Sequence, residues 1–335
     1  STQQIPLDWS KFENHTFFNS AESKINIAFD NIINHFPFDG TEKENQEFMD
    51  SLTGFEKWVF DSFPKNVGFL MFEGETLPSK GTYIEVKDSP GAKYPILSKP
   101  VTGESVLDPN FKSFTFDMQL FSPKEPNENQ IVCQRIGSKI DKGMTLAISK
   151  SDSSEYCNII LSVASGTIRT YISSSIEKGK FNHICASFDR RENHNNLKIY
   201  IDSLLVATSS NILDIGTLTF DNSSLYIGDG SSVLVKNNGS SAAYQFVPVQ
   251  TLSGAIDEFR FYHKHIGIKE QKRNEKKTVY ASDPLALHFR FNEPFGEIGS
   301  NRIVLDTSGN SLHSNIENYT ATLRATGSIA NPLKY

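Results

Sequence analysis

Two adjacent carboxylates, Asp257 and Glu258, are the residues of this sequence best suited to acid–base chemistry. They lie in the alternating run Gly254–Tyr262, which is typical of a β-strand. Cleavage of a glycosidic bond with retention needs two carboxyl groups about 5–5.5 Å apart in one groove. Because neighbours on a strand point to opposite faces of the sheet, strict alternation predicts that this pair cannot act together. No other strand-like run carries carboxylates two positions apart, so we expect that the protein is not an enzyme.

Histidines and cysteines suggest two further sites, and each has a simpler explanation. His183 and Cys185 share one face of a predicted strand and could form a nucleophilic pair. A core cysteine beside a hydrogen-bonded histidine accounts for the same spacing. His263 and His265 could bind a metal ion, but no third ligand lies nearby in the sequence. We therefore predict no catalytic residues.

A polar run near the end of the chain contains the ligand types of a calcium loop. Asp306, Ser308, Asn310 and Glu317 occupy positions 1, 3, 5 and 12 of an EF-hand count. The glycine that an EF-hand requires at position 6 is Ser311 here. A tight Ser-Gly-Asn turn at the end of a sheet explains the same residues with fewer assumptions.

Length and charge limit the classes of protein. The chain has 335 residues, which predicts two or three structural units. Lysine and arginine number 33 against 39 aspartates and glutamates, and the formal net charge of −6 argues against nucleic-acid binding. The mean hydropathy is −0.36 and no apolar run approaches the roughly 18 residues of a membrane span, so we expect none. The sequence also opens without the basic and apolar stretches of a signal peptide.

The periodicity of apolar residues changes along the chain. Residues 1–78 are predicted to form a helical N-terminal anchoring segment, with Ile25, Phe29, Ile32 and Phe36 on one helical stripe. From about Tyr83 the pattern alternates, as in 113–120, where every second residue is apolar. Comparable runs follow at 131–135, 144–149, 157–163, 168–172, 181–188, 197–201, 204–208, 225–227 and 254–262. Short strands joined by polar turns favour an antiparallel β-sandwich over residues 79–266.

Two more segments follow the predicted sandwich. Residues 267–282 are highly charged and helix-permissive, which predicts a solvated linker helix. Alternation returns in Leu285–Phe291, so residues 283–335 are interpreted as a β-rich tail or the start of a further module. Fifty residues cannot form a complete second sandwich, and the tail could instead complete the first.

Three motifs in this order resemble the laminin G-like, concanavalin A-like jelly-roll family. Gly179–Asp189 is similar to the strand "W-x-H-v-a-x-t-y-d", with Phe181 in place of tryptophan. Leu197–Val206 is similar to "l-k-l-Y-v-D-G-x-l-v", with Ser203 where glycine is usual. Leu225-Tyr226-Ile227-Gly228 followed by Ser253–Tyr262 resembles "l-x-I-G … f-x-G-x-I-D-E-v-r-i-Y".

The resemblance implies a mainly β, antiparallel jelly-roll sandwich with a helical N-terminal segment and a short β-rich C-terminal segment. Members of the family often bind calcium, and Asp229 and Asp257, near loop ends, are the candidate ligands. No other cofactor is expected. Tyr226, Tyr244 and Phe246 lie near loops and could stack on a glycan, with packing in the core or in an interface as the alternative.

The layout of most of the chain, an N-terminal helical stretch followed by the jelly roll, resembles a group of tailed-bacteriophage virion proteins. The matching segments are Phe17–Asn26, Phe36–Gly40 and Trp58–Asn66, together with the turn Gly103–Pro109. This resemblance implies a non-enzymatic structural component located in the virion, as part of the tail or associated with the capsid. Its partners would be other virion proteins in a multimeric assembly, with Phe17, Phe18 and Trp58 as interface anchors. The alternative is a lectin-like adhesin that binds a host-surface glycan, with or without calcium.

Overall fold

The alternating runs of the sequence form the strands of two large antiparallel sheets. The computed structural model describes residues 68–87, 105–137, 142–166, 168–191, 195–209, 215–220, 223–236, 243–276, 279, 281–292 and 302–325, together with 47, 50–51 and 53–54. The elements in these ranges are β1 (Phe69–Phe72), β2 (Tyr83–Val86), β3 (Phe114–Phe121), β4 (Gln130–Ile136), β5 (Lys142–Ile148), β6 (Tyr156–Ser165), β7 (Ile168–Glu177), β8 (Phe181–Asp189), β9 (Asn196–Ile201), β10 (Leu204–Thr208), β11 (Leu225–Ile227), β12 (Val233–Lys236), β13 (Ala243–Phe246), β14 (Gly254–Tyr262), α1 (Ile268–Lys276), β15 (Leu285–Phe289), β16 (Ile303–Val304), β17 (Ser314–Glu317) and β18 (Arg324–Ala325).

Each large sheet contains eight strands. Sheet I has the order β10-β9-β8-β3-β14-β1-β18, with β15 also paired to β14. Sheet II has the order β16-β17-β2-β11-β4-β5-β6-β7. The separate hairpin of β12 and β13 packs on the outer face of sheet II, where Val233, Val235 and Phe246 contact Ile131 and Ile160. The predicted mainly β, antiparallel sandwich is confirmed for the described part of the chain.

The core lies between the two sheets and is rich in phenylalanine. Phe114, Phe116, Met118 and Leu120 point into it from β3, as their alternation predicts. The rings of Phe116 and Phe261 stack with their centroids 5.0 Å apart. Burying side chains of this size stabilises the fold by roughly 1.5–3 kcal/mol each, which fixes the register of the central strands.

The sandwich extends beyond the predicted boundaries of residues 79 and 266. β1 pairs with β14 in sheet I, although its four residues were assigned to the N-terminal segment. At the other end, β15 pairs with β14 and β17 pairs with β2, so the C-terminal segment completes the sandwich. Three of the four residues of Phe-Leu-Met-Phe in β1 are buried, so the run lacks the alternation by which other strands were predicted.

α1 lies within the predicted charged segment 267–282, but it is not a fully solvated linker. Gln271 and Asn274 are buried, and Asn274 Nδ2 donates a 2.6 Å hydrogen bond to Asp117 on β3. The carbonyl of Glu275 accepts a 3.1 Å hydrogen bond from Gln119, also on β3. One polar side of α1 therefore covers the outer face of sheet I, while Lys269, Lys272 and Arg273 are exposed.

The predicted helical N-terminal segment is not shown by the structure: most of its residues lie outside the described ones, and α1 is the one α-helix among the named elements of the described ranges. Glu47, Asp50, Ser51 and Gly54 have helical hydrogen bonding, within the stretch for which a helix was predicted. The sandwich belongs to a compact unit of Asn66–Pro332, and the other unit is Ser1–Lys65 with Leu333–Tyr335. No helix in the described ranges has the length and hydropathy needed to span a bilayer.

Candidate functional site

A group of polar and aromatic side chains lies on the outer face of sheet II, on β2, β11 and the loops beside them. We call it the tyrosine patch and define it as Lys80, Tyr83, Glu85, Tyr226 and Asp229. Successive residues of a strand point to opposite faces, and the intervening residues of β2 and β11 belong to the core. The local alternation therefore directs both tyrosines and the glutamate outward. β2 and β11 are neighbours, and Tyr226 lies opposite Glu85.

The carboxylate of Glu85 is held by hydrogen bonds from two sides. Its Oε1 accepts from Ser224 Oγ at 2.8 Å and from the Tyr226 hydroxyl at 3.2 Å. Its Oε2 lies 3.3 Å from the ammonium of Lys87. Partial burial opposes the charge on Glu85. The hydrogen bonds from Ser224, Lys87 and the Tyr226 hydroxyl outweigh this effect and lower the pKa of Glu85. The group is thus a fixed anionic acceptor at neutral pH.

Lys80 links the rest of the patch. Its Nζ lies 2.5 Å from Asp229 Oδ2 and 5.1 Å from the centroid of the Tyr83 ring. The hydrogen bond to Asp229 raises the pKa of Lys80, against a smaller effect of burial. Because Asp229 is almost fully buried and Lys80 is exposed, the lysine brings the compensating charge to the carboxylate from the solvent side.

A buried glutamine supports the patch from β4. Gln134 lies opposite Tyr226, accepts a 2.7 Å hydrogen bond from the backbone of Ser231 and donates to Thr145 on β5 at 3.1 Å. These contacts tie the loop after β11 to the sheet. The tyrosine patch therefore lies on rigid elements, which is the arrangement that a preformed binding surface needs.

The chemistry of the tyrosine patch suits a polyhydroxylated ligand. The half-buried rings of Tyr83 and Tyr226 offer apolar faces for C–H groups. Glu85 accepts hydrogen bonds, while the ammonium of Lys80 donates them. Burial is the largest factor that raises the pKa of Tyr226, and Glu85 adds to it, so the phenol stays protonated at neutral pH.

The three predicted glycan-binding residues have different surroundings in the structure. Tyr226 is half-buried at the centre of the tyrosine patch. Phe246 is 3 % exposed and packs from β13 against sheet II, so its ring cannot stack on a ligand. This corrects the prediction for Phe246: its position near a loop was taken to mean exposure, but the hairpin folds over sheet II. Tyr244 belongs to β13, and its side chain lies outside the described residues.

Asp257 and Glu258 lie in a β-bulge of β14, and the strict alternation predicted for them is wrong. Ile256 and Phe259 both belong to the core, although two residues separate them. The pairing with β3 shifts register between Asp257 and Arg260, and Glu258 has a φ of +50°. The extra residue turns Glu258 to the outer side of sheet I, where it meets Arg260. The argument from opposite faces therefore does not apply to these two carboxylates.

Glu258 belongs to a buried charge network between sheet I and α1. The network consists of Asp117, His183, Glu258, Arg260, Asn274 and His288, all fully or almost fully buried. Arg260 joins the two acids: its Nη2 lies 2.7 Å from Glu258 and its Nη1 lies 3.4 Å from Asp117. His183 Nε2 lies 2.5 Å from Asp117, and His288 Nε2 lies 2.7 Å from Glu258.

The two acids of this network are kept ionised by groups of the protein. Burial opposes ionisation of Glu258, but Arg260 and His288 outweigh it and lower the pKa to about 2. For Asp117 burial is likewise outweighed, chiefly by His183 and Arg260, and the pKa is lowered. Both acids are thus committed to basic partners and lie away from solvent, which is typical of a structural ion network.

The candidate calcium ligands are not brought together. Asp229 lies beside sheet II and is paired with Lys80, whereas Asp257 is buried in sheet I. In the described residues no group of three or more His, Cys, Asp or Glu side chains could hold a metal ion. The structure thus places the two candidate ligands apart, and each of them stays a separate prediction.

Asp306 organises a turn, as the simpler interpretation of its polar run predicts. Its Oδ1 accepts hydrogen bonds from the backbone of His288 and Ser308, at 3.0 and 2.9 Å. Its Oδ2 accepts from Ser308 Oγ and from the backbone of Leu312, at 2.9 and 3.0 Å. With both oxygens used by donors of the chain, the residue fastens the turn to β15.

The histidine and cysteine pairs also have structural roles. His183 is bonded to Asp117, and burial raises the pKa of the Cys185 thiol well above its usual value, so that thiol is not a nucleophile. His265 Nδ1 lies 2.8 Å from Ser187 Oγ. The ring of His263 packs edge-on against Phe261.

The predicted interface anchors Phe17, Phe18 and Trp58 lie outside the described residues.

Of the tyrosine patch, the sequence alone indicated Tyr226 and Asp229. Tyr83 and Glu85 were missed, although two polar residues separated by an apolar one are a recognisable sign of an outward-facing strand side. Lys80 carries no such signal, because its place depends on the fold of the loop before β2.

Sequence comparison agrees with the fold. A laminin G sequence family, described as "Concanavalin A-like lectin/glucanases superfamily", matches residues 100–267, which is half of the chain. The jelly-roll resemblance is thereby confirmed. Comparison with curated protein sequences finds no match.

Three solved structures illustrate the similarity. A candidate carbohydrate-binding protein from Bacteroides ovatus ATCC 8483 is 18% identical with a TM-score of 0.48, over 78% of this chain and 60% of that protein. The heptameric SAP-like pentraxin of Limulus polyphemus is 14% identical with a TM-score of 0.42, over 62% of this chain and 81% of the pentraxin. The CBM40 of a Ruminococcus gnavus IT-sialidase, bound to α2,3-sialyllactose, is 14% identical with a TM-score of 0.35, over 57% of this chain and 96% of the module.

Proposed function

Because the chain belongs to the concanavalin A-like lectin/glucanases superfamily, we propose that its sandwich is a non-enzymatic module that binds carbohydrate at the tyrosine patch. The observation that carries the proposal is the placement of two outward-facing tyrosines beside a fixed carboxylate on one rigid sheet face. Stacking on aromatic rings and hydrogen bonds to a carboxylate are the two interactions that a sugar ring can use at once.

The absence of catalysis is part of this proposal. Asp117 and Glu258 are two acids on the outer face of sheet I, and both are buried with Arg260 between them. A substrate could reach them only if α1 left the sheet. The acids of the tyrosine patch offer no better pair, because Asp229 is neutralised by Lys80.

Calorimetry with oligosaccharides selected on a glycan array tests the proposal. We expect Tyr226→Ala and Tyr83→Ala each to weaken binding at least about tenfold, since an aromatic stacking contact is worth roughly 0.5–1.5 kcal/mol beyond its buried area. Tyr156→Ala is the matched control, because Tyr156 is an exposed tyrosine on β6 of the same sheet, outside the patch. Binding should persist in a calcium chelator, since Lys80 already supplies the cation at Asp229. Equal affinities for all three variants would refute the assignment.

A second candidate function concerns assembly. We propose that the chain is a structural component of a tailed-bacteriophage virion, with its helical N-terminal part holding other virion proteins and the sandwich directed to neighbours or to the host surface. The segments that resemble virion proteins support this, and so do three consecutive exposed apolar residues on β10, Leu204, Leu205 and Val206. Exposed apolar runs of this kind are typical of contact surfaces.

Immunogold labelling of purified phage particles tests the second candidate. We expect an antibody against the sandwich to label a discrete part of the particle, and Trp58→Ala to reduce incorporation several-fold because an aromatic anchor is lost. Tyr156→Ala should incorporate normally. Particles that assemble and contain none of the protein would contradict a structural role in the virion.

A further inference from the structure

One long side of the sandwich has an open strand edge in both sheets. β7 is the terminal strand of sheet II and β10 is the terminal strand of sheet I. In the part of the chain that the structure describes, β6 is the strand that pairs with β7, and the carbonyl of Glu177 accepts a hydrogen bond from the Asn182 side chain. The outward backbone groups of such a strand can pair with another strand.

β7 has opposite charges at its two ends, so two antiparallel copies of the strand can place a positive charge opposite a negative one. Arg169 lies near its start and Glu177 at its end, and the seven residues between them include neither a charge nor a proline. Arg169 makes no side-chain hydrogen bond or ion pair within the described residues, and Glu177 has only an exposed pair with Lys180. A strand that protected its edge would carry charge or proline at its centre.

We propose that β7 pairs antiparallel with β7 of a second copy of this chain, about a twofold axis at Ser173. This register places Arg169 opposite Glu177 of the second copy, twice by symmetry, and all three residues on the outer face of the sheet. The contact is isologous, because the same strand contributes both sides. Sheet II becomes continuous across the pair, and each copy supplies one strand edge.

The edge of sheet I also favours a second copy of this chain. β10 borders the same side, and Leu204 is 70 % exposed. Its five residues Leu-Leu-Val-Ala-Thr carry no charge, so they present an apolar surface next to the β7 edge. A twofold axis at Ser173 brings the β10 strands of both copies to one side of the new interface. A second copy thus pairs with the charges of β7 and covers the apolar surface of β10.

A designed disulfide tests the register. Opposite residues in an antiparallel pair have Cα atoms about 4.5–5.5 Å apart, within the range that a disulfide spans. Ser173 and Ser175 are both exposed, and the native Cys133, Cys157 and Cys185 are buried. We expect Ser173→Cys in the full chain to form a covalent dimer under mild oxidation. Ser175→Cys should form little, because that residue lies opposite Tyr171 of the second copy.

Charge reversal tests the pairing without a new bond. We expect Arg169→Glu or Glu177→Arg alone to raise the dissociation constant of the dimer at least about tenfold, because two attractive pairs become repulsive ones. The double variant should restore it. Reversal of the exposed pair Lys150–Glu128 on another part of sheet II is the control and should leave the dimer unchanged.

Analytical ultracentrifugation from 1 to roughly 100 μM reads out both tests, since a specific interface of ordinary size saturates in this range. Monomer throughout that range, or equal cross-linking of the two cysteine variants, would overturn the proposal. A dimer that ignores the charge reversals would do so as well. Since the tyrosine patch lies on β2 and β11, glycan binding by the Arg169→Glu variant should match the unmodified protein, which separates this inference from the carbohydrate-binding proposal.

Discussion

At the scale of residues, the bulge in β14 places the carboxylate of Glu258 beside Arg260 and thereby forms the buried charge network. Arg260 satisfies Asp117 and Glu258 together, and His288 satisfies Glu258 from β15. Removing one member of such a network leaves an uncompensated buried charge, which costs roughly 3–5 kcal/mol. The network therefore favours the packing of α1 and β15 that supplies Asn274 and His288 to the two acids.

The stability of the protein should fall as the pH falls, and His288 should cause the first part of the decrease. Burial is the main reason that the pKa of His288 lies below 6.5, although Glu258 opposes the shift. Below about pH 6.5 the unfolded chain therefore binds a proton that the folded chain does not, and the free energy of unfolding declines by at most about 1.4 kcal/mol per pH unit. Glu258 extends the decrease below pH 4.5, because the unfolded chain binds a proton there that the folded chain binds only near its lowered pKa of about 2.

Urea unfolding at several pH values measures this effect. Between pH 7.5 and 5.5 the unmodified protein should lose stability, and His288→Gln, which keeps a donor near Glu258, should lose less. Parallel pH profiles for the two proteins would show that His288 is not the titrating group.

At the scale of elements, alternation in the sequence predicted most strands of the sandwich. The four apolar residues of β3 face the core as expected, because a half-buried strand must alternate. β1 was missed because three of its four residues are buried. The hairpin of β12 and β13 was missed because it packs as a small third layer, which periodicity within one segment does not show.

The bulge in β14 explains why the acids were misplaced. A bulge adds one residue to one strand, so that every later side chain changes faces relative to a strict count. The positive φ of Glu258 is a backbone conformation that sequence patterns rarely reveal for glutamate. Only two of the five residues of the tyrosine patch were indicated by the sequence. Tyr226 followed from its place near a loop, whereas the position of Lys80 depends on how the loop before β2 folds.

At the scale of the whole molecule, the C-terminal strands should be indispensable to the sandwich. Leu287, Phe289 and Phe291 enter the main core, and Ile316 covers β2. Removing residues 283–335 exposes side chains worth on the order of 10 kcal/mol together, which equals the whole stability of an ordinary domain.

Truncation after residue 282 tests this requirement. We expect the shortened chain to aggregate or to lose cooperative unfolding, as followed by circular dichroism. Co-expression of residues 283–335 as a separate polypeptide should restore some soluble protein, because the missing strands can still pair. A shortened chain that unfolds cooperatively at the original urea midpoint would show that the tail is dispensable.

The pairing of Ile84 with Ile316, 232 residues later in the chain, also has a consequence for biosynthesis. A ribosome adds about 5–20 residues per second, so β2 emerges more than roughly ten seconds before the strand that covers its edge. During this interval the nascent polypeptide presents an unfinished sheet to its surroundings. Synthesis of this protein should therefore depend on chaperones that shield it until translation supplies the last strands.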